Sequence, residues 1–457
     1  MRVDEIRLAK NERLNEEWLG RFQAAEPQVR NLASRYRGRD DCFVVSIHYG
    51  TYNAGYRLRW NDGGPDWFFR VPLPGMTMHP DEKVWKEVSA MTIVARDSTV
   101  PVPRLIVWQP SQGSENWLGL GPFILREWVP GRPLSEFLGS DSVHITPWID
   151  TQILEPAYRA MADILLSLWQ VNFENIGSCI QVLNTDLKHA SLRPLTLEHN
   201  ELMRCFGIPD CIPGHSYSTS AEYILSLVLL QLKHLDYQRN AVSDAEECER
   251  RYSCRHLMKV LAPRFISAKY NHGPFKLFCD GFSPKRVLVD EFLRVTGVIN
   301  WEFCYAAPVE FASSIPSWFL QSLPEILRSM GVAEVLCAFL PRAYFFLDVL
   351  ETVEVETNRN LPDERLSAGM RDSLDNRSAW FYLACRNASL VDLIYWGLLH
   401  EYYWDEDPAE FLNHKAVVGQ HSLDEFLIRR KLKQFQVYNE ERRGYLNVEV
   451  VDDQLSC

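Results

Sequence analysis

Residues 279–303, CDGFSPKRVLVDEFLRVTGVINWEF, contain two short apolar segments, RVLVD and RVTGVIN, on either side of the turn EFLR. Short apolar segments around a turn predict a β-hairpin. The surrounding sequence is different, because long segments such as PAYRAMADILLSLWQVNF and SAEYILSLVLLQLKHLDYQRN have the apolar spacing of helices. The sequence therefore predicts a large helical unit with one hairpin at its inner edge.

The first third of the chain has another pattern. Residues 42–75 alternate apolar and polar side chains around the turn NDGG, which predicts a β-hairpin or a meander. Residues 81–98 have helical spacing, and the apolar segments PVPRLIVWQP and GPFILREWVPG follow. The order strand, strand, helix, strand, strand predicts a small antiparallel sheet that carries one helix. Before it, residues 11–37 predict a polar amphipathic helix, and SLRPLTLEHN predicts a loop between the two long helices.

These patterns divide the chain into four parts. We expect an N-terminal helical extension at 1–38, a β-rich N-lobe at 39–130 and a helical C-lobe at 131–445 that contains the hairpin region 278–303. The last part, residues 446–457, predicts a frayed C-terminal tail.

Composition limits the class of protein. The chain has 457 residues, 46% of them hydrophobic and 24% charged, so we expect a sizeable core. A net charge of −12 without a long basic run argues against nucleic acid or a membrane surface as partner. The charged N-terminus has no apolar leader, and the apolar stretch Tyr223–Leu232 is too short to span a bilayer, so we expect a cytoplasmic protein. The 11 cysteines lack zinc-site spacing, which predicts buried free thiols and no metal centre.

Several segments carry a family resemblance through their order: GTYNAGYRLRW, WFFRVPLPG, FILREWVPGRPLS and the hairpin segment that ends in VINWEF. Together they make the chain resemble the aminoglycoside phosphotransferase and protein-kinase-like fold family, and within it the fungal branch of the phosphotransferase enzyme family. The resemblance covers roughly residues 42–438. It implies an α+β, two-lobed fold with a small β-rich N-lobe and a large helical C-lobe.

The resemblance also implies where a nucleotide would lie. The phosphate-covering loop would run from Gly50 to Gly55, where backbone N–H groups can approach phosphates closely. Arg70 takes the position of the family's phosphate-pairing lysine, and Glu87 that of its orienting helix glutamate. Two plainer interpretations stay open: an ordinary tight hairpin, and an Arg–Glu ion pair with a structural role only.

The catalytic loop departs from the family's motifs. Members of the family read roughly H-G-D-L-x-x-x-N or C-D-D-x-x-P-x-N before V-L-V-D. An alignment on V-L-V-D places Gly281 at the base aspartate, Arg286 at the magnesium-binding asparagine and Asn300 at the second metal ligand. Phosphoryl transfer depends on Mg²⁺, which prefers hard oxygen ligands that include a carboxylate. The resemblance therefore implies a phosphotransferase site with degenerate motifs.

Two nearby acidic residues complete the set of catalytic candidates, which is Arg286, Asn300, Asp280 and Glu302. Asp280 lies one residue before the base position, so on an extended chain its side chain points elsewhere unless a bulge re-aims it. Glu302 either acts in the site or pairs with a neighbouring cation.

An excess of aromatic residues in the last third predicts the walls of an apolar pocket, or alternatively an aromatic helical core. The predicted substrate-pocket residues are Trp318, Tyr395, Trp396, Tyr403 and Trp404. With Arg286, Lys285 and Asn300 as a polar floor, such a pocket suits an apolar small molecule that bears a carbonyl or carboxylate.

Three functions fit these observations. The first is a cyclase or isomerase that acts on an apolar secondary metabolite without phosphoryl transfer and without a cofactor. Pericyclic ring closure is one reaction of this kind. The second is a pseudokinase-type binding protein without turnover. The third is an active small-molecule phosphotransferase with an altered metal site, and only this alternative needs Mg²⁺–ATP. The sequence leaves the oligomeric state open.

Overall fold

The structure, a computed structural model, describes residues 2–138, 151–179, 193–319, 331–357, 365–405, 407 and 425–455. Two helices open the chain, α1 (Glu5–Ala24) and α2 (Glu26–Arg37). The prediction of one continuous helix over 11–37 is wrong, because the helix restarts at Glu26. Pro27 lies in the first turn of α2, where its missing N–H costs nothing, whereas it would break a helix interior.

The N-lobe contains a five-stranded antiparallel sheet in the order β1-β2-β3-β5-β4. Its elements are β1 (Phe43–Tyr49), β2 (Asn53–Arg59), β3 (Trp67–Pro72), helix α3 (Pro80–Asp97), β4 (Leu105–Gln109) and β5 (Phe123–Glu127). Three strands precede the helix, where the sequence predicted two. The predicted turn NDGG separates β2 from β3, and the additional strand arises from a further turn at Gly50, between β1 and β2.

Helices make up most of the C-lobe. Their bounds are α4 (Thr151–Trp169), α5 (Leu197–Phe206), α6 (Ser220–Tyr237), α7 (Ala245–Leu261), α8 (Val309–Ala312), α9 (Val332–Thr357), α10 (Leu366–Asp375), α11 (Ser378–Cys385), α12 (Val391–Ile394), α13 (His400–Trp404) and α14 (Glu425–Leu455). Two predictions need correction here. Helix α5 begins inside the predicted loop SLRPLTLEHN, because the Thr196 side chain accepts the N–H of His199 and caps it. Helix α14 continues through the predicted frayed tail to Leu455.

Short strands lie between these helices in two small sheets. The first sheet has the order β10-β9-β6 and the second β11-β8-β7. Their bounds are β6 (Arg132–Pro133), β7 (Asn172–Phe173), β8 (Phe275–Cys279), β9 (Val287–Val289), β10 (Val295–Val298) and β11 (Cys304–Ala307). Strands β9 and β10 form the predicted antiparallel hairpin. The loop between β8 and β9 brings residues 280–286 against the segment 299–303 that follows β10.

The large core of the C-lobe packs the inner faces of α4, α6, α9 and α11 against β8 and β11. A separate core joins α1 and α2 to the N-lobe sheet, with Trp18, Phe22 and Tyr56 stacked at its centre. None of the described helices is long and apolar enough to cross a membrane.

Candidate functional site

Arg70 on β3 and Glu87 on α3 form an ion pair between sheet and helix, with Arg70 Nη2 2.5 Å from Glu87 Oε2. Their side chains are 5% and 2% exposed, so water screens the pair little. The structure therefore brings together the two residues that the resemblance placed at the lysine and glutamate positions.

Glu302 lies beside this pair and takes contacts from several cations. Its Oε2 is 2.6 Å from Lys83 Nζ and 3.4 Å from Arg70 Nη2, and its Oε1 is 3.9 Å from Arg286 Nη2. Burial opposes ionisation of Glu302, but the charges of Lys83, Arg70 and Arg286 outweigh it and hold the pKa of Glu302 well below its usual range. The Asn53 side chain adds a hydrogen bond to Oε2 at 2.9 Å. Glu302 is therefore saturated by protein groups.

Arg286 extends back over the start of its own loop. Its Nη1 donates to the backbone oxygen of Asn300 at 2.5 Å and to Cys279 Sγ at 3.4 Å. A β-carbon built on Gly281 would lie 2.1 Å from Arg286 Nη2 and 2.7 Å from its Cζ. The guanidinium thus occupies the space into which a side chain at the base-aspartate position would project.

Asn300 has a φ of 61°, in the left-handed region that asparagine tolerates better than most residues. Its Oδ1 accepts a hydrogen bond from Arg70 Nη1 at 3.0 Å. The oxygens of Asn300 and Glu302 therefore face cations of the protein itself. Mg²⁺ needs several unshared oxygens and suffers repulsion from nearby cations. These residues do not fit the ion, and within the described ranges no group of three His, Cys, Asp or Glu side chains could hold a metal.

Gly50 and Gly55 have different surroundings. Gly50 donates its N–H to Asn53 O at 2.8 Å and closes the β1–β2 turn. Gly55 lies inside β2, where a β-carbon would come within 2.5 Å of Phe68 Cζ. The Phe68 ring also contacts Trp128, with centroids 5.6 Å apart. The missing side chain at Gly55 thus makes room for an aromatic ring of the protein.

On the opposite side of the β8 loop, the C-lobe encloses an apolar cavity. The space open to the centres of water-sized molecules is about 110 Å³, well above the roughly 10–15 Å³ that one water requires. Aromatic and aliphatic side chains dominate its lining; they come from α4, α8, α9, α10 and α11 and from a short turn at Ser317–Phe319, and include Trp169, Phe311, Trp318, Phe339, Met370 and Trp380. Asp280 and Arg386 are the two charged residues in the described lining. The cavity is therefore suited to an apolar small molecule that needs one polar contact.

The two charged residues contact each other, with Arg386 Nη1 3.3 Å from Asp280 Oδ1. Asp280 Oδ2 accepts the backbone N–H of Leu197, the first residue of α5, at 3.1 Å. Burial raises the pKa of Asp280, although Arg386 and the Leu197 N–H favour its charged form. The sequence analysis did not predict Arg386 as a site residue. The sequence feature that could have indicated it is a single arginine directly after the apolar helix SAWFYLAC.

A model of the phosphotransferase enzyme family matches residues 44–311, which is more than half of the chain. The chain belongs to this family. None of the curated proteins matches it. As a member of the phosphotransferase family, it has the mixed α+β, kinase-like architecture described above.

Several solved structures are similar to this phosphotransferase-family chain. A macrolide 2'-phosphotransferase of type I is 11% identical, with 90% of this chain and 97% of that chain covered and a TM-score of 0.41. An ethanolamine kinase of Plasmodium vivax is 11% identical, with 86% and 85% covered and a TM-score of 0.43. A microcompartment-associated aminopropanol kinase is 14% identical, with 89% and 98% covered and a TM-score of 0.40.

The five aromatic residues were predicted either to form the walls of a pocket or to belong to a helical core, and the structure places one of them, Trp318, in the cavity lining. The other four lie elsewhere. The Tyr395 hydroxyl is 3.0 Å from His400 Nδ1, the Trp396 ring packs against the same histidine, and Tyr403 donates to Asn376 O. Trp404 is 38% exposed.

These four residues lie on the π-helical turn Tyr395–Leu399 and on α13, which follows it. The two elements pack their rings on each other and on neighbouring helices. The polar groups of the cavity are also not the ones that the sequence predicted. Arg286 and Asn300 turn toward Glu302 and Arg70, whereas Asp280 and Arg386 supply the polar groups of the cavity.

Proposed function

We propose that this member of the phosphotransferase family binds an apolar small molecule in the C-lobe cavity and catalyses its cyclisation or isomerisation without phosphoryl transfer. The observation that carries the proposal is the division of charge around the β8 loop. On the nucleotide side, the carboxylate of Glu302 is neutralised by Lys83, Arg70 and Arg286. On the cavity side, one Asp–Arg pair faces apolar walls.

A cavity of this kind can accelerate a one-substrate reaction without a cofactor. Aromatic walls can hold a flexible molecule in a folded, reactive shape, which lowers the entropic part of the barrier. A guanidinium in apolar surroundings stabilises developing negative charge on a carbonyl oxygen more strongly than the same group does in water. Both effects act on cyclisation and on isomerisation, and neither requires Mg²⁺ or ATP.

The first arm of the test asks whether the nucleotide side is active. We expect the melting temperature to be unchanged by ATP with Mg²⁺, because a bound ligand would raise it. We also expect no phosphate release in the presence of small hydroxyl compounds. Metal-dependent phosphate release that is lost in Asn300→Ala would contradict the proposal.

The second arm uses N-phenyl-1-naphthylamine, a neutral apolar dye that fluoresces in apolar surroundings. We expect binding by the parent and loss of binding in Ala312→Phe, since Ala312 lines the cavity. Ala245→Phe, at an exposed position on α7, is the matched control and should bind as the parent does. Dye binding that Ala312→Phe leaves intact would place the apolar site elsewhere.

The third arm separates an enzyme from a binding protein. The chain is incubated with a panel of apolar carbonyl compounds, and products are sought that have the substrate's mass and a different retention time. Ligands that bind without any such conversion would favour the pseudokinase-type binding protein.

A further inference from the structure

The charged pair in the cavity wall has the layout of a base beside a hydrogen-bond donor. The side chains of Asp280 and Arg386 are 7% and 15% exposed, and both line the cavity. A charged pair at the surface of an apolar space costs desolvation energy that an apolar pair would not. The placement therefore calls for an explanation beyond stability.

Asp280 is held in a fixed orientation from one side. Its Oδ2 takes the N–H of Leu197 at the start of the ten-residue helix α5, which Thr196 caps. A helix N-terminus favours a carboxylate over a carboxylic acid. Its Oδ1 has the longer contact, 3.3 Å to Arg386, and so keeps capacity for a further proton.

Arg386 is also held in a fixed orientation, and not all of its N–H groups are used in doing so. Its Nε donates to Tyr382 O at 3.2 Å and its Nη1 to Asp280. The guanidinium lies over the rings of Phe278 and Phe311, with its Cζ 4.5 and 4.9 Å from their centroids. Within the described part of the chain its Nη2 has no hydrogen-bond partner. An arginine that is stacked and anchored in this way can present Nη2 to a carbonyl oxygen at little entropic cost.

Resting on the function proposed above, we propose that Asp280 is a general base and Arg386 a carbonyl-binding donor, and that the substrate is an apolar carbonyl compound with an acidic α-hydrogen. The carbonyl oxygen binds at Arg386, and the α-hydrogen faces Oδ1 of Asp280. The reaction is an isomerisation by proton transfer from one carbon of the substrate to another.

The atoms and electrons of this reaction balance without a further reactant. Asp280 takes the α-proton of a β,γ-unsaturated carbonyl compound, and the C–H electron pair forms the dienolate, whose oxygen accepts a hydrogen bond from Arg386. The carboxylic acid then returns the same proton to the γ-carbon. The product is the α,β-unsaturated isomer, and Asp280 is again a carboxylate.

Several charged or titratable groups from the packed elements act on Asp280. They are Arg386 after α11, Arg286 in the β8–β9 loop, Glu198 on α5, Tyr223 on α6, Cys279 at the end of β8 and Tyr305 on β11. Burial raises the pKa of Glu198 to about 8, so this neighbour is uncharged at neutral pH. The two arginines favour the carboxylate form of Asp280 and act against the burial that raises its pKa.

The test uses 5-nitrobenzisoxazole, an apolar carbon acid. Abstraction of its C3 proton by a carboxylate converts the C–H electron pair into a nitrile as the N–O bond breaks, and the coloured phenolate that results needs no other reactant. We expect the parent chain to catalyse this reaction and Asp280→Asn to lose at least about a hundredfold in rate, the usual contribution of a positioned base. Asp290→Asn, which changes an exposed carboxylate in the hairpin turn, is the matched control.

Two further readouts keep the proposal testable if Asp280→Asn folds poorly. The parent's rate should fall as pH drops through a single pKa above the ordinary aspartate value of about 3.9. Ala312→Phe and saturating N-phenyl-1-naphthylamine should both suppress turnover. Dye binding by a parent without any base-dependent turnover overturns this inference and leaves the proposed apolar site standing. Failure of the parent chain to bind the dye overturns both this inference and the proposed function.

Discussion

Gly281 and Arg286 share one space in the catalytic loop: a β-carbon on the glycine would lie 2.1 Å from Nη2 of the arginine. The two departures from the family's motif at these positions are therefore physically linked. A side chain at residue 281 requires Arg286 to move, and Arg286 is anchored at Asn300 O and near Glu302.

The first prediction concerns this linkage. We expect Gly281→Ala to lower the free energy of unfolding by about 1–3 kcal/mol, the usual cost of overpacking a rigid site. In an Arg286→Asn background the same change should cost less, because the competing guanidinium is gone. Chemical denaturation of the four chains of this double-mutant cycle gives the coupling energy.

Gly214→Ala is the control for Gly281→Ala, since Gly214 is exposed and a β-carbon there meets nothing within 4 Å. It should change stability little. Equal effects of Gly281→Ala with and without Arg286 would show that the steric linkage is absent.

The second prediction concerns Glu302. We expect Glu302→Gln to lower the free energy of unfolding by about 3–5 kcal/mol, because Lys83 and Arg70 then remain buried with one carboxylate fewer. Urea denaturation at neutral pH measures the change. Glu12→Gln, an exposed position on α1, should be neutral. A loss below about 1 kcal/mol, the size of an exposed ion pair, would mean that the cluster is open to water.

The third prediction concerns acid sensitivity at Glu82, whose Oε1 and Oε2 contact Lys86 and Arg193 at 2.5 and 2.6 Å. Burial opposes its ionisation, but Arg193 and Lys86 outweigh it and lower the pKa from 4.5 to about 2. The unfolded chain therefore binds this proton first on acidification, so the stabilisation is complete above about pH 4.5 and lost as pH falls toward 2.

We expect the stability difference between the parent and Glu82→Gln to be largest at pH 6–7 and to shrink by up to about 3 kcal/mol between pH 4.5 and 2. Denaturation curves at several pH values measure it. A difference that stays constant over this range would show that Glu82 does not titrate with the predicted depression.

Much of the fold followed from local patterns, while the site depended on contacts that local patterns do not contain. The hairpin β9–β10, helix α3 and the long helices have clear periodicity, and the structure has them. The sequence predicted two strands before α3 because the turn at Gly50, which divides β1 from β2, was not counted. The pairing of Arg70 with Glu87 followed from the family's motif positions.

The cavity illustrates what the sequence could not show. Asp280 and Arg386 are separated by 106 residues, and the tertiary packing of the C-lobe core brings them together. In sequence, the aromatic clusters at 395–396 and 403–404 cannot be distinguished from residues that line a pocket. Whether such rings face a cavity or pack on neighbouring rings, as Tyr395 and Trp396 do on His400, depends on tertiary packing that a local sequence pattern does not contain.

The fourth prediction separates the predicted polar floor from the observed one. Arg286 donates to Asn300 O and lies outside the cavity lining, so Arg286→Ala removes charge-assisted bonds within the protein. We expect a loss of about 1.5–3 kcal/mol in the free energy of unfolding, the size of such a bond, with affinity for N-phenyl-1-naphthylamine changed less than about twofold.

Arg386→Met should instead act on the ligand. It removes the hydrogen-bond donor from the cavity wall and should lower the affinity for apolar carbonyl compounds by about tenfold. Displacement of the bound dye by apolar carbonyl compounds measures the ligand affinity of both variants, and urea denaturation measures their stability. Since the two arginines have the same charge and nearly equal side-chain exposure, 14% and 15%, each serves as the other's control. If Arg286→Ala weakens ligand binding while Arg386→Met does not, the polar floor lies at Arg286 and Asn300, as the sequence alone predicted.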